Sequence, residues 1–453
     1  MTSGPWQKPP RQPRPEAATF LSFIWPGLGQ WYAGRPKAAA LQAIPVLLAL
    51  IAVAVFVGGD LQRLAILLFD PATAVAIIVL ILLTGALRLG SMVHAQAIAS
   101  RREAFRGSRP AVFTVLAMVA IVVHLTAASI AMDFYTAGTK IFVDDPVTGG
   151  VTPSPAPGSS PAPQPTAPPV EEQPGRINVL LTGIDSSEIR NHALTDTLIV
   201  VSIDRATKDV AMVSFPRDIA RFPLWDGRQF TGKINSLMTY AAQRPNEFPD
   251  GGLGTVTREL GFLLGVPIDY YAAINLDGFE KLIDEVGGVR IVNDKAIADP
   301  AYGGWKDGHI GFFLSAGPHT LDGPNALAYV RSRKGAGDND FTRARRQQQL
   351  LVALRQKLTD PAMLPRLSGV LNAASATLTT NFPSGRLSEL LDLGTGIKDD
   401  EIRRFVLGPP YAIHPPTNTT GGTYILSLDF ERVAKLSVQL FGNDSRYAQL
   451  GAG

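Results

Sequence analysis

Cysteine is absent, charge is sparse, and none of the common catalytic signatures occurs in this 453-residue sequence. Without cysteine, the chain forms no disulfide, thiolate zinc site, iron–sulfur cluster or cysteine nucleophile. It also lacks the Walker Gly-x4-Gly-Lys-Ser/Thr loop, the Gly-x-Ser-x-Gly nucleophile elbow and the His-Glu-x-x-His zinc motif. The six histidines are scattered, which favours structural roles for them. Charged residues make up only 18% of the chain, fewer than in an average soluble protein.

The positive charge lies in the most apolar part of the chain. Residues 1–145 carry 12 Lys and Arg against 7 Asp and Glu, whereas the remaining 308 residues carry 30 against 32. Basic residues that flank apolar segments are typical of cytoplasmic loops, because translocated loops carry fewer of them. The net charge of +3 therefore indicates membrane topology, and we expect no nucleic-acid partner.

Three segments are long and apolar enough to cross a bilayer core of ~30 Å, which takes about 20 helical residues. They lie at about 38–57, 72–92 and 111–132. The stretch 18–33 is shorter and is broken by Pro-Gly-Leu-Gly, so it predicts a partial hairpin that enters and leaves on one side.

Basic residues indicate the orientation of this membrane region, 18–137. They cluster before residue 18, at 35–37 and in the loop at 101–109. The positive-inside rule therefore places the tail 1–17 in the cytoplasm. Everything beyond the last span is then expected on the outer side of the cell membrane.

A Pro-rich linker, 138–175, is expected to lead to an extracytoplasmic domain, 176–453, with the pattern of an α/β fold. Runs rich in β-branched residues predict strands, and helical periodicity predicts helices. The predicted strands are 177–183, 196–203, 209–215 and 289–293, and the predicted helices include 255–264, 278–286 and 341–358.

Two aspartates and an arginine converge at one edge of the predicted sheet. Asp185 ends the first strand and Asp196 opens the second, so antiparallel pairing brings both carboxylates to the same edge. The third strand runs back to that edge and is followed by Arg217 and Asp218. Carboxylate oxygens suit Mg²⁺, which also binds phosphate oxygens, so the group predicts a metal-plus-anion site. Turn and capping roles for these aspartates are the alternative.

Further donors are expected to face this site from the C-terminal half. Arg331 and Arg333 are two residues apart, and on an extended chain their side chains share one side. In the helix that follows, the apolar stripe extends back to Gln347 and Arg343, which places polar groups towards the core. These groups need a polar pocket, and arginine forks match phosphate oxygens. The arginines at 345–346, by contrast, are candidates for solvated charges.

Seven motifs in this domain resemble those of the LytR–CpsA–Psr family of cell-envelope glycopolymer ligases. They are LLTGID (180–185), TDTLIVVSID (195–204), VSFPRD (213–218), KIN (233–235), GVPIDYYAAINLDGFEKLIDEVGGV (265–289), LDGPNALAYVRSR (321–333) and DFTRARRQQQ (340–349). The resemblance implies an α/β/α sandwich with a central mixed sheet and a lipid pocket, preceded here by an all-α membrane region. It also implies transfer of a phospho-glycan from a polyprenyl-pyrophosphate carrier to a hydroxyl of peptidoglycan or protein.

The resemblance also implies roles for individual residues. Asp185 and Asp196 would hold Mg²⁺. We expect Arg217, Asp196 and Asp218 to be the catalytic residues; the general base is left open between Asp196 and Asp218. The pyrophosphate would be bound by donors from distant parts of the domain: Arg217, Arg331, Arg333, Arg343 and Gln347, with Lys233 and Asn235 nearby. The apolar faces of helices 255–264 and 278–286 are candidates for the lipid pocket.

The chain departs from the family pattern at two positions. Family members often carry Arg two residues before the second aspartate and two residues after the first, where this chain has Leu194 and Ser187. Arg190 and His192 lie in the loop between the aspartates, and we expect Arg190 to bind the pyrophosphate in place of the missing charge. The lost arginines leave two alternatives open: a polyprenyl-pyrophosphate-binding protein without transferase activity, and a pyrophosphatase on the same lipid. A membrane signalling protein is less consistent with the short cytoplasmic segments.

Overall fold

We describe the protein from a computed structural model that covers residues 13–58, 61–100, 110–143, 175–185, 194–303 and 311–451. The chain divides into two compact units, Met1–Gly138 and Thr139–Gly453. Most of the expected linker, the loop 101–109 and the loop that carries Arg190 and His192 lie outside the described residues.

The first unit is entirely helical in its described residues. Its helices are α1 (Pro15–Ile24), α2 (Leu28–Tyr32), α3 (Pro36–Val57), α4 (Leu61–Leu67), α5 (Pro71–Ser100) and α6 (Pro110–Ile141), the last of which runs into the second unit. By length and composition, α3, α5 and α6 are each able to cross a membrane. Both α5 and α6 continue past the ends expected from the sequence, and α4 was not expected.

Helices α1 and α2 form a hairpin because the chain turns sharply between them. Gly27 has φ +100°, and a Cβ there would lie 2.4 Å from the carbonyl oxygen of Ala39, so only glycine fits. Buried polar groups form hydrogen bonds between the turn and Ser91 of α5. The Gly27 N–H donates to Ser91 Oγ (3.0 Å), and Gln30 Nε2 donates to the Ser91 carbonyl (2.8 Å). The hairpin is thereby tied to α5.

A six-stranded mixed sheet forms the centre of the second unit. Its strand order is β11-β6-β1-β2-β3-β12. The strands are β1 (Arg176–Asp185), β2 (Leu194–Asp204), β3 (Val210–Ser214), β6 (Tyr270–Asn275), β11 (Leu378–Thr380) and β12 (Ile402–Val406). Strands β1, β2 and β3 pair antiparallel, whereas β6 runs parallel to β1 and β12 parallel to β3. The first two of these strands contain the predicted runs, and β3 lies within the third.

Smaller elements surround the sheet. The helices are α7 (Leu237–Ala242), α8 (Gly251–Leu264), α9 (Leu276–Glu285), α10 (Gly323–Arg331), α11 (Asp340–Leu358), α12 (Leu367–Ser375), α13 (Leu387–Gly396), α14 (Phe430–Phe441) and α15 (Arg446–Gln449). The strands form two-stranded ribbons: β4 (Ala220–Pro223) with β5 (Gln229–Lys233), β7 (Val289–Asn293) with β10 (Gly317–Leu321), β8 (Ile297–Asp299) with β9 (Phe312–Leu314), and β13 (Ala412–Ile413) with β14 (Ser427–Leu428).

Both faces of the central sheet are covered, because successive side chains of a strand point to opposite faces. On one face, Leu198 and Val200 of β2 pack with side chains of α8 and α14. On the other face, Ile199 of β2 packs with Leu351 and Val352 of α11. The α/β/α sandwich with a central mixed sheet is therefore confirmed.

Candidate functional site

The two aspartates expected to hold a metal lie at the same edge of the sheet. Asp185 is the last residue of β1 and pairs with Leu194, the first residue of β2. The register then shifts, because Ile184 pairs with Thr195 but Gly183 pairs with Thr197. Asp196 is thus the extra residue of a β-bulge, a feature that re-aims a side chain and often lies next to active sites.

Arg217 links three carboxylates at this edge. It follows β3, and its Nη1 donates to Asp196 Oδ1 at 2.8 Å. Its Nε lies 3.8 Å from Asp218 Oδ2 and 4.0 Å from Asp340 Oδ1. Burial lowers the pKa of Arg217, but the three carboxylates outweigh burial and raise the pKa above its usual value. Arg217 is therefore held as a permanent cation in the centre of the site.

Helix α11 points its N-terminus at the same place. Asn339 caps the helix by accepting from the N–H groups of Phe341 and Thr342, so Asp340 enters the first turn. Asp340 Oδ1 lies 2.9 Å from Arg343 Nη1 and 3.6 Å from Arg333 Nη1. The positive end of the helix dipole adds to the positive charge here and favours an anion.

Arg343 is the most buried of these arginines, with 7% of its side chain exposed. Burial lowers its pKa, and Asp340 offsets this only in part because Arg217 and Arg333 act in the same direction as burial. Among the described residues, the buried Nε of Arg217 and Oδ1 of Asp340 have no hydrogen-bond partner. The Nε–H of Arg217 is therefore a donor that remains available to an anion.

Arg331 reaches the site from a helix, and not from the extended segment that the sequence suggested. Residues 328–331 are the last turn of α10, which begins after an Asp322 cap with Pro324 in its first turn. The cap and proline fix the helix start, and the helix then runs to Arg331 itself. Arg331 Nη2 lies 3.3 Å from Asp185 Oδ2. Arg333, beyond the helix end, pairs instead with Asp340, so the two arginines serve different carboxylates.

Lys233 and Asn235 border the site on the side of Asp218. Lys233, the last residue of β5, places Nζ 2.5 Å from Asp218 Oδ1. Asn235 is buried, and its carbonyl accepts from Thr195 Oγ1 at 3.3 Å. This bond ties the β5 side of the site to the start of β2, one residue from Asp196.

Two further side chains of α11 hold the arginine-bearing segments in place. Gln347 donates its amide to the carbonyl of Val330 at 3.2 Å, next to Arg331. Arg346 donates to the carbonyl of Ser332 at 2.5 Å and lies 3.4 Å from Asp338. Arg346 is buried and is not a solvated charge; Arg345 is exposed. Gln347 and Arg346 thus hold the end of α10, which carries Arg331, and the turn after it, which carries Arg333.

Asp340 is the residue that sequence reasoning missed. It lies in the family-like motif 340–349, but the residues expected from this motif to bind the anion were the hydrogen-bond donors Arg343 and Gln347. In the structure it contacts Arg217, Arg333 and Arg343 within 4.0 Å. Its negative charge therefore offsets part of the repulsion among these three arginines.

Asp185 and Asp196 supply carboxylate oxygens, the type of ligand that Mg²⁺ takes. Asp185 and Asp196 come from neighbouring strands, and no group of three or more His, Cys, Asp or Glu suited to a metal occurs in the described part of the chain. Mg²⁺ is often bound through one or two carboxylates and completes its shell with water and phosphate oxygens, whereas zinc and calcium sites take more protein ligands.

The helices proposed for a lipid pocket lie in separate hydrophobic clusters. Val256 and Leu260 of α8 pack in the cluster on one face of the sheet. Ile283 of α9 and Val286, which follows the helix, pack in a second cluster with α10 and α11. These side chains are core residues, and the described contacts do not join the two apolar faces in one pocket.

Comparison with known proteins agrees with the sequence motifs. The LytR_cpsA_psr family model matches residues 157–441. The polyisoprenyl-teichoic acid–peptidoglycan teichoic acid transferase TagU of Halalkalibacterium halodurans is 30% identical over 214 residues, 47% of this chain and 64% of that protein. The regulatory protein MsrR of Staphylococcus aureus is 32% identical over 251 residues, 54% of this chain and 68% of that protein. The crystal structure of B. subtilis TagV is similar with a TM-score of 0.46 and 25% identity, covering 59% of this chain and 98% of that one.

The family match contains every residue of the candidate site, from Asp185 to Gln347. The alignment to TagU spans less than two thirds of that relative's length, and it covers about half of this chain. The family model itself covers more than half of the sequence. The chain belongs to the LytR–CpsA–Psr family.

Proposed function

We propose that this protein is a phosphotransferase that moves a phospho-glycan from a polyprenyl-pyrophosphate carrier to a hydroxyl of the cell wall. The observation that carries the proposal is the convergence of Arg217, Arg331, Arg333 and Arg343 with two strand-end aspartates at one sheet edge. Such an array matches a multivalent phosphate ligand. The name of TagU states teichoic acid transfer to peptidoglycan, which supports peptidoglycan as the acceptor; a protein acceptor is the alternative.

The reaction breaks one phosphoanhydride bond and forms one phosphodiester bond. The acceptor hydroxyl attacks the phosphorus next to the sugar, and polyprenyl monophosphate leaves with the bridging oxygen. The hydroxyl proton passes to a carboxylate, for which Asp196 and Asp218 are the two candidates at the site. Arg217 and Arg343 stabilise the charge that develops on the phosphoryl oxygens, and preorganised charges of this kind supply much of the catalysis in phosphoryl transfer.

Asp185 and Asp196 would hold Mg²⁺ at the sheet edge. Bound there, the ion would supply positive charge to the pyrophosphate oxygens. Arg331 and Arg217, which pair with these aspartates, orient the carboxylates and themselves donate to the phosphates.

We further propose that the protein is a multi-pass membrane protein with its C-terminal domain on the outer side. Helices α3, α5 and α6 have the length and composition of membrane spans. The basic residues at 35–37 and 101–109 support a cytoplasmic position for the loops that contain them. An odd number of spans then brings the chain after α6 to the side on which peptidoglycan and its lipid-linked precursors react.

A transfer assay with the full chain in detergent tests the proposed activity. The donor is a polyprenyl pyrophosphate that bears a radiolabelled glycan, and the measurement is label bound to peptidoglycan. We expect Arg217→Ala to lose transfer and Arg217→Lys to retain little, because lysine keeps the charge but not the planar fork. Arg404→Ala, which removes an exposed arginine of β12, is the control and should act like the parent.

Three outcomes of this assay separate the alternatives. If the parent transfers label to peptidoglycan and Arg217→Ala does not, the result supports the proposal. Release of free glycan phosphate without label in peptidoglycan would indicate a pyrophosphatase. Tight donor binding without turnover would indicate a binding protein.

A further inference from the structure

The segment before β14 runs beside the Arg217–Asp218 turn. Leu426 forms a parallel bridge with Ile219. Its N–H donates to the carbonyl of Asp218 at 2.8 Å, and its carbonyl accepts from the N–H of Ala220 at 2.9 Å. Tyr424 lies two residues before Leu426, so these hydrogen bonds hold the segment that carries Tyr424 against the backbone of Asp218 and Ala220.

Tyr424 presents a partly exposed aromatic ring near the site, with 48% of its surface exposed. Partial burial raises the pKa of Tyr424, and the carboxylates of Asp218 and Asp340 add to this effect. Tyr424 is therefore close enough to interact electrostatically with two carboxylates of the site.

The Tyr424 ring is backed by a second ring. His414 stacks on it, with 4.8 Å between the ring centroids and 27° between the planes. His414 Nδ1 lies 2.8 Å from the carbonyl of Ile425, so the histidine ring is itself held by the neighbouring backbone. A preformed aromatic surface costs little conformational entropy when a ligand binds to it.

We propose that Tyr424, backed by His414, binds a pyranose ring next to the phosphate site. Sugars present flat C–H faces, and aromatic rings offer a complementary apolar face with a polar tip. The ring that stacks there belongs either to the first sugar of the donor or to the acceptor glycan. This inference rests on the proposed function and assigns to Tyr424 a positioning role, since it does not touch the reacting phosphorus.

Binding and kinetics of the full chain in detergent test the proposal. The binding probes are polyprenyl pyrophosphate without sugar and the same lipid with one hexose; the kinetic measurement is the KM for peptidoglycan fragments. Tyr424→Ala should leave affinity for the sugar-free lipid unchanged. If the donor sugar stacks on Tyr424, the same variant should bind the hexose-bearing lipid about tenfold more weakly. If the acceptor glycan stacks there, the variant should instead raise the KM for peptidoglycan fragments about tenfold. Tyr424→Phe keeps the ring face and should act like the parent.

The control is Phe313→Ala, which removes an exposed ring of β9. Parental behaviour of Tyr424→Ala with both sugars would overturn the inference and leave the proposed function intact. An equal loss in Tyr424→Phe and Tyr424→Ala would also overturn it, because the hydroxyl and not the ring face would then matter. If the parent fails to bind even the sugar-free lipid, the proposed function and this inference both fail.

Discussion

Asp340 offers the sharpest test of how the arginine cluster is built. Its carboxylate lies 2.9 Å from Arg343, 3.6 Å from Arg333 and 4.0 Å from Arg217, whereas an amide in Asp340→Asn carries no charge. The substitution keeps the shape of the side chain and leaves three guanidinium groups without their common counter-ion. It therefore perturbs electrostatics with little change in packing.

The expected loss of stability follows from burial. Breaking a buried ion pair by removing one partner costs about 3–5 kcal/mol, because the remaining charge is left uncompensated. The side chain of Arg343 is 7% exposed and that of Asp340 is 17% exposed, so solvent screens the pair only slightly, and we expect a loss of about 3 kcal/mol. At about 2 °C per kcal/mol for a domain of this size, the melting temperature should fall by roughly 6 °C.

Inorganic pyrophosphate should reverse much of this loss, since an anion can take the place of the missing carboxylate. We expect pyrophosphate to bind Asp340→Asn about tenfold more tightly than the parent, which adds about 1.4 kcal/mol of stabilisation at the same saturating concentration. Thermal unfolding of the full chain in detergent, with and without pyrophosphate, measures both effects. Asp392→Asn, on the exposed side of α13, is the matched control and should change neither value.

The reasoning is refuted if Asp340→Asn unfolds at the temperature of the parent and gains no more stability from pyrophosphate. A lower melting temperature with weaker pyrophosphate binding would also contradict it. That pair of results would mean that Asp340 orients the arginines for the anion and does not substitute for it.

Four further predictions concern metal, orientation, a buried acid and the undescribed loop. Asp196→Asn should abolish the Mg²⁺ dependence of transfer with an unchanged circular dichroism spectrum, and full Mg²⁺-dependent activity would remove the metal assignment. A cysteine introduced at Ser159 should react with an impermeant thiol reagent in intact cells, whereas one at Ser108 should not; the reverse pattern would overturn the orientation. Burial raises the pKa of Glu259 from its usual value of 4.5 to about 8. The folded protein therefore keeps a proton that the unfolded chain releases as the pH rises above 4.5, and the free energy of unfolding should fall between pH 4.5 and pH 8 by up to about 5 kcal/mol. Glu259→Gln should therefore be more stable than the parent at pH 9 but not at pH 4 in urea unfolding, and parallel pH profiles would contradict this. Arg190→Ala should weaken binding of the pyrophosphate lipid by roughly ten- to a hundredfold in a titration, and parental affinity would show that the loop does not compensate for Leu194.

The sheet and the aspartate edge could be predicted because they depend on local patterns. Strand-length runs rich in β-branched residues predicted β1, β2 and β3, and the short connections between them predicted antiparallel pairing. Given that pairing, Asp185, Asp196 and Arg217 had to meet at one edge. The same applies to α11, whose apolar stripe correctly placed Arg343 and Gln347 towards the interior.

The features that the sequence did not predict depend on a one-residue shift in strand pairing or on tertiary contacts. One extra residue at Asp196 makes a bulge, which alternation alone does not reveal. Residues 328–331 contain strand-compatible side chains, but the Asp322 cap and packing of α10 make them helical. Arg346 is buried because the turn after α10 needs a donor for the carbonyl of Ser332, and that turn exists only in the folded domain.

The identity of the released lipid tests the central claim most directly. The full chain would be incubated with a polyprenyl-pyrophosphate-linked glycan and peptidoglycan, and mass spectrometry would quantify every polyprenyl and glycan product. Attack on the sugar-side phosphorus predicts polyprenyl monophosphate and peptidoglycan-linked phospho-glycan in equal amounts, with neither formed by Arg217→Ala. Release of polyprenyl pyrophosphate, with sugar joined to peptidoglycan without phosphate, would contradict the account, because the arginine cluster would then hold a leaving group and not a transferred phosphoryl group.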